Sequence, residues 1–293
     1  MKKLSIIIPA RHELYLKQTV DDLFKKATGD IEVIVILDGY WPTAFPEDNP
    51  RLTFVHRERR GMRAAINSAV AIAKGDYILK MDAHCMFAQG FDEVLKADCD
   101  KDWVVVPRRY SLDIDTWSVK RERPFVDYEY LGWPHHNQIV HGSKVGLHAW
   151  VWDERTVNRI DRLVDENMTF QGSCWVMTKE HFTKRLGNLQ EAGYGTFIGE
   201  AQEIGLKTWL GGGRVMTNKK TWYAHLWKGV PYREAHKKEL GIPYTRIGLS
   251  ELKAGNAFCV DFWMNNKWKH RKHDLIWLVD RFMPFPSGEQ WTR

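Results

Sequence analysis

Asp82-Ala83-His84 places a carboxylate and an imidazole two residues apart, directly after the apolar run Tyr77–Met81. In extended backbone, residues i and i+2 point to the same side, so both groups can face one ion. An oxygen donor beside a nitrogen donor suits manganese or a similar divalent ion better than calcium. The triplet alone is common by chance; its position after a buried strand gives it weight. His225 on its own reads as an ordinary surface histidine. Glu200 and Glu203 lie three apart and share a helix face, a spacing equally at home on a solvated helix. Gly211-Gly212-Gly213 has no Lys-Ser/Thr after it, which makes it a turn rather than a phosphate cradle. His135-His136 has no third group at ligand spacing and reads as structural or acceptor-facing.

These groups must be positioned by the elements around them. Leu4–Pro9, Ile31–Leu37, Leu52–Val55, Tyr77–Met81 and Trp103–Pro107 read as strands, with helices at Glu13–Lys26 and Gly61–Lys74. Strands separated by single helices predict an α/β fold, with a mostly parallel, doubly wound sheet and flanking helices. Such sheets bind ligands at the carboxyl ends of their strands. That edge holds Pro9–Glu13, Asp38-Gly39 and Asp82–His84. From about Tyr110 to Asn167 the periodicity loosens, as in an acceptor-side insertion. Order returns at Met168–Thr178, Glu180–Leu186 and Glu200–Leu210. The expected division is a catalytic domain at 1–228, made of two halves (1–107 and 168–228) around an insertion (108–167). A basic, Trp-rich extension follows at 229–293.

The composition is that of an ordinary soluble domain: 293 residues, 44% hydrophobic and 27% charged. No apolar stretch approaches the ~18–20 residues that span a bilayer. Met1-Lys2-Lys3 resembles the charged start of a signal peptide, but the apolar run after it is too short. A cytoplasmic protein is expected, with Cys85, Cys99, Cys174 and Cys259 reduced and buried. The net charge of +6 is concentrated in Lys267-Trp268-Lys269-His270-Arg271-Lys272-His273. Basic residues interleaved with tryptophan can hold a phosphate backbone and stack on bases, as for an anionic polymer; a solvated helix face looks similar.

Arg60-Gly61-Met62, leading through an Ala-rich helix to Gly75–Cys85, resembles the donor half of GT-A glycosyltransferases. The strand ending Met81-Asp82-Ala83-His84-Cys85 is similar to that of the polypeptide N-acetylgalactosaminyltransferases. Most family-2 enzymes carry Asp-x-Asp there. Phe170–Phe182, Gly199–Trp209 with Gly211-Gly212, Ala224-His225-Leu226-Trp227-Lys228, and Asn256–Trp268 resemble later blocks of the same family, in the same order.

The resemblance implies a GT-A fold, a UDP-sugar donor and a divalent ion such as Mn2+, with 1–107 as the nucleotide-sugar half and 168–228 as the sugar and acceptor half. It implies Asp82, His84 and His225 as metal ligands. Asp38 contacts the nucleobase or ribose, with Pro9, Ala10 and Arg11 in the same pocket. Glu13, Gly61, Arg63, Asn67, Asp82 and Trp227 complete the donor site. Glu200 bonds the sugar and Glu203 sits behind it; Lys228 joins them as a catalytic group. Trp227 and Lys228 open a mobile loop over the diphosphate that includes Tyr232 and Arg233. The sequence departs from the family where its helix arginines align with Ala64 and Ile66, with Arg63 adjacent. The family's membrane anchor and lectin domain have no counterpart here.

Retention of anomeric configuration is the implied outcome. An inverting enzyme would instead use Glu200 or Glu203 as general base. The expected acceptor is DNA bearing hydroxymethylated pyrimidines, as modified by bacteriophage enzymes, which requires the base to be unstacked. Rivals are a Ser/Thr hydroxyl on a protein, a glycan or lipid-linked acceptor, and an inactive sugar- or nucleic-acid-binding module.

Overall fold

A computed structural model describes residues 2–132, 139–140, 143–144, 147–244 and 247–286. The first half runs β1 (Leu4–Ala10), α1 (Leu16–Lys26), β2 (Ile31–Asp38), β3 (Leu52–Arg57), α2 (Met62–Ile72), β4 (Tyr77–Met81), β5 (Cys85–Phe87), α3 (Phe91–Ala97) and β6 (Trp103–Asp113). Short pieces follow: β7 (Ser118–Val119), β8 (Glu129–Leu131), β9 (Ile139–Val140), β10 (Ser143–Lys144), β11 (Ala149–Val151), α4 (Asp153–Asn158) and β12 (Val164–Glu166). The chain closes with β13 (Cys174–Thr178), α5 (Glu200–Leu210), β14 (Arg214–His225), α6 (Val230–Leu240), α7 (Leu249–Met264) and α8 (Leu275–Phe282).

The central sheet has the order β12-β14-β6-β13-β4-β1-β2-β3. β3, β2, β1 and β4 pair in parallel, as the strand and helix alternation predicts. β13 lies antiparallel between β4 and β6, and β14 runs parallel to β6. The carboxyl ends of β1, β2, β4 and β14 therefore share one edge with the amino end of β13. That geometry brings residues far apart in the chain to one rim.

Alternation along the strands feeds two cores, one on each face. Ile6, Ile8, Val33, Val35, Leu79 and Met81 pack against α1 and α3. Ile7, Ile34, Ile36 and Ile78 face the other way, toward α2, α5 and the C-terminal helices. Trp263, Trp268, Leu278 and Phe282 are buried in that second core. The tract 267–273 thus keeps its exposed basic side chains, but Trp268 is 8% exposed and offers no ring to a base. The stacking expected of that tryptophan is corrected accordingly. Among the described residues, no helix is long and apolar enough to cross a membrane.

Two boundaries differ from the sequence reading. α1 begins at Leu16 rather than Glu13, because the chain leaves β1 through His12 at φ 50° and no side chain caps the helix start. Glu13 is left on a loop, free to turn toward the strand ends. β6 continues past Pro107, where the sequence reading ended it, to Asp113; a proline lacks a ladder N–H. The ladder to β14 slips between Asn218 and Trp222, directly beside Pro107, and so absorbs the lost donor.

α2 and α5 are joined by charge within the second core. Arg63 and Glu203, each 1% exposed, form an ion pair, and Lys207 adds a second contact to Glu203 at 2.6 Å. Removing one partner strands the other charge in the core, which costs about 3–5 kcal/mol. Glu203→Ala should lower the unfolding free energy by roughly that amount in urea titrations; a loss below about 1 kcal/mol would show the pair to be dispensable.

Candidate active site

A cavity of about 920 Å³ opens on the shared edge. Pro9, Ala10, Arg11, Glu13, Asp38 and Gly61 line it from the β1 and β2 side. Asp82, His84, Glu200, His225, Trp227 and Lys228 line the rest. Twelve residues expected at the site are thus brought together. Arg63, Asn67 and Glu203 are not. The Arg63 guanidinium turns inward to Glu203 and to the carbonyls of Gln190 and Ile198, both at 2.7 Å. Asn67 is bound to the Leu189 backbone through both its amide nitrogen and its oxygen, at 2.9 Å each. Both side chains brace the 187–199 segment instead of facing a diphosphate. His135 and His136 lie outside the described residues.

His225 reaches the rim because the last residues of β14 pair with β5, setting His225 opposite Cys85. His84 and His225 then face each other, Nε2 to Nε2, at 3.1 Å. Asp82 Oδ2 lies 3.7 Å from the first of these nitrogens and 3.3 Å from the second. Cis donors about 2.1 Å from an octahedral ion stand ~3 Å apart, so these three atoms fit one face of such a site. The mixed oxygen and nitrogen set suits Mn2+. Glu13 Oε2 accepts from His84 Nδ1 at 3.1 Å, which leaves Nε2 of that ring as the bare donor. His225 Nδ1 is buried and has no hydrogen-bond partner. Burial, with His84 beside it, pushes the His225 imidazole down to about 4 despite Asp82, so it is neutral and able to ligate at neutral pH.

Around the triad the charges are paired. Lys80 Nζ donates to Asp82 Oδ1 at 2.8 Å and to the Gly172 carbonyl at 2.6 Å, and lies 3.3 Å from Glu200 Oε2. Burial opposes ionisation of Asp82, but Lys80 and the two imidazoles outweigh it and hold the carboxyl well below its ordinary value. Glu200 goes the other way: burial raises it against the pull of Lys80 and of the Trp175 Nε1–H, which donates at 2.6 Å. Lys228 Nζ donates to Glu13 Oε1 at 2.7 Å. Burial would raise Glu13, yet Lys228 and His84 bring it down to about 2.

Asp38 stands on the cavity wall with both oxygens engaged. Oδ1 accepts from Arg57 and from the Arg60 N–H, and Oδ2 accepts from the Gly61 N–H at 2.9 Å. Gly61 is required here: its φ is +92°, and a Cβ would lie 2.5 Å from Thr196 Cβ. Asp38 thus shapes the loop, leaving the Arg11 and Arg59 side chains to face the pocket. Trp227 is exposed and meets His225 edge-on at 5.3 Å. The segment expected as an irregular loop after Lys228 is largely helix α6, with Tyr232 buried beneath it.

Lys80 and Arg59 were not singled out from the sequence. Lys80 left a readable signal, a single ammonium inside the otherwise apolar strand Tyr77–Met81. A charge so placed needs buried acids nearby. Arg59 left none, since it sits among neighbouring charged residues of the 56–60 stretch.

A family model described as Glycosyl transferase family 2 matches residues 5–186, more than half of the chain. Glycosyltransferase GlyA of Streptococcus pneumoniae serotype 4 is 26% identical over 100 residues, 32% of this chain and 14% of that protein. A Drosophila melanogaster protein named as a polypeptide N-acetylgalactosaminyltransferase is 26% identical over 169 residues, 56% of this chain and 27% of that protein. A crystal structure of GalNAc-T7 with UDP, GalNAc and Mn2+ superposes with TM-score 0.68 at 17% identity, over 91% of this chain and 50% of that one. The GT-A fold is shared with it. The chain spans half or less of the length of each of these proteins.

The Glu13 contacts set a pH window. Its folded value, about 2, lies below the ordinary 4.5, so the unfolded chain binds the extra proton between these limits. The stabilisation is complete above about pH 4.5 and lost as pH falls toward 2, worth up to ~3 kcal/mol. In metal-free protein, Glu13→Gln should flatten the fall in unfolding free energy between pH 5 and 3; an unchanged slope would contradict the assignment.

Proposed function

The chain belongs to glycosyl transferase family 2, and from that membership we propose that it moves a sugar from a UDP-sugar to an acceptor hydroxyl at the cavity on the sheet edge. The convergence of Asp82 Oδ2, His84 Nε2 and His225 Nε2 carries this reading, because it supplies a divalent-ion site where the fold binds its ligands. Those three residues would hold Mn2+ or a similar ion. When bound, such an ion supplies positive charge to the diphosphate oxygens as the sugar departs.

The remaining roles belong to the chain itself. Arg11 and Arg59 border the nucleotide end of the pocket. Lys228, held by Glu13, offers its ammonium toward the leaving diphosphate. Trp227 covers the ion site and limits water, which would otherwise compete for the donor. Glu200 lies on the cavity wall with its carboxylate pinned by Trp175 and Lys80, a rigid acceptor for sugar hydroxyls. Glu203 is sealed in the core, so an inverting route would leave Glu200 as the available base. We favour retention, in which a departing phosphate oxygen takes the acceptor proton. The catalytic unit is assigned to 1–228, with 229–293 as its extension.

For the acceptor, DNA with hydroxymethylated pyrimidines keeps the support of charge alone, from exposed Lys269, Arg271 and Lys272. The rival protein acceptor, through a Ser/Thr hydroxyl, gains support from the Drosophila relative, whose name specifies transfer to a polypeptide.

Purified protein with Mn2+ and a panel of UDP-sugars should release UDP, and chelation should stop it. Asp82→Ala and His225→Ala should each lower turnover at least ~100-fold. Retained turnover in either variant would remove that residue from the ion site. Mass spectrometry of hydroxymethylcytosine DNA and of a Ser/Thr peptide pool decides the acceptor.

A further inference from the structure

Among the described residues, Lys80 is the one cation that touches both Asp82 and Glu200 on the cavity wall. Its side chain is 1% exposed. Its three donor positions meet three acceptors: Asp82 Oδ1, the Gly172 carbonyl and Glu200 Oε2. The two oxygens of Asp82 are thereby separated in role. Oδ1 belongs to the ammonium, and Oδ2 faces the two imidazole nitrogens.

We propose that Lys80 is a positioning residue that couples the ion site to the sugar-side carboxylate, so that the state of Glu200 sets how strongly Asp82 holds a metal. The inference rests on the metal reading of Asp82, His84 and His225. Shared between two carboxylates, the ammonium neutralises each in part. When Glu200 gives its lone pairs to a sugar hydroxyl, or loses its charge, Lys80 commits more fully to Asp82 and weakens it as a donor. Linkage makes the effect reciprocal: a cation on Asp82 draws Lys80 toward Glu200 and alters the hold on the sugar. The like charge of Lys80 beside the triad also keeps affinity for the bare ion low, leaving the diphosphate oxygens to complete it.

Mn2+ affinity, read by electron paramagnetic resonance of the free ion with and without UDP, tests this without reference to turnover. In the wild type, UDP should tighten Mn2+ by at least ~10-fold. Lys80→Met should bind Mn2+ without UDP about 10-fold tighter than wild type. Glu200→Gln should weaken Mn2+ about 10-fold when Lys80 is present, and less than ~3-fold in the Lys80→Met background. Additive effects of the two substitutions, or weaker Mn2+ binding by Lys80→Met in step with a lower Tm, overturn the coupling. Should Lys80→Met and Lys80→Gln both fail to fold, Glu200→Gln alone decides, and unchanged Mn2+ affinity overturns the proposal. Absence of Mn2+ binding by the wild type, with UDP or without, overturns the metal reading itself.

Discussion

A carboxylate removed from water stays ionised only if positive charge lies against it. Three carboxylates, Glu13, Asp82 and Glu200, are gathered around the candidate metal ligands at one edge of the sheet, and the charges beside them follow from satisfying them. Lys80 serves two of them from β4, and Lys228, between β14 and α6, serves the third. The imidazole of His84 bridges the two systems, with one nitrogen on Glu13 and the other on the triad. The ion site is therefore no separate insert. It is the point where two charge-pairing chains meet, and a cation there joins a balance already struck.

The sheet makes that meeting possible. Side-chain alternation on β4 turns Lys80 to the α5 face, while the chain end at Asp82 and His84 curls over the rim. The antiparallel strand β13 aligns its start with the end of β4, and the Asp82 N–H donates to the Ser173 carbonyl at 2.9 Å. α5 begins with Glu200, so its first turn faces the cavity, and Glu203 one turn on faces the core. Two acids of one type three residues apart thus have opposite fates, one at the cavity and one braced against Arg63.

The parallel half of the fold was legible because buried strands and amphipathic helices have distinct periods, and β1, β2 and β4 fall where those periods place them. The rim positions of Pro9–Glu13, Asp38 and Asp82–His84 followed from topology alone. The orientation of the arginines was not legible. Arg63 sits next to a glycine turn exactly as a phosphate ligand would, and only three-dimensional packing shows that Gln190, Ile198 and Glu203 claim it. Trp268 misled for the reverse reason: a tryptophan among lysines looks like a stacking surface until the core behind it is known. The stretch 110–167 resisted reading because its strands are two or three residues long, too short to display a period.

His84 and His225 are 141 residues apart and meet only when β14 docks beside β5. The convergence of the three candidate donors is consequently complete only when β14 is in place. Closing so long a loop is slow relative to local helix formation, so the third donor would arrive after the helices have formed. A chain that ended before β14 would keep Asp82 and His84 but lose His225, leaving two of the three candidate donors.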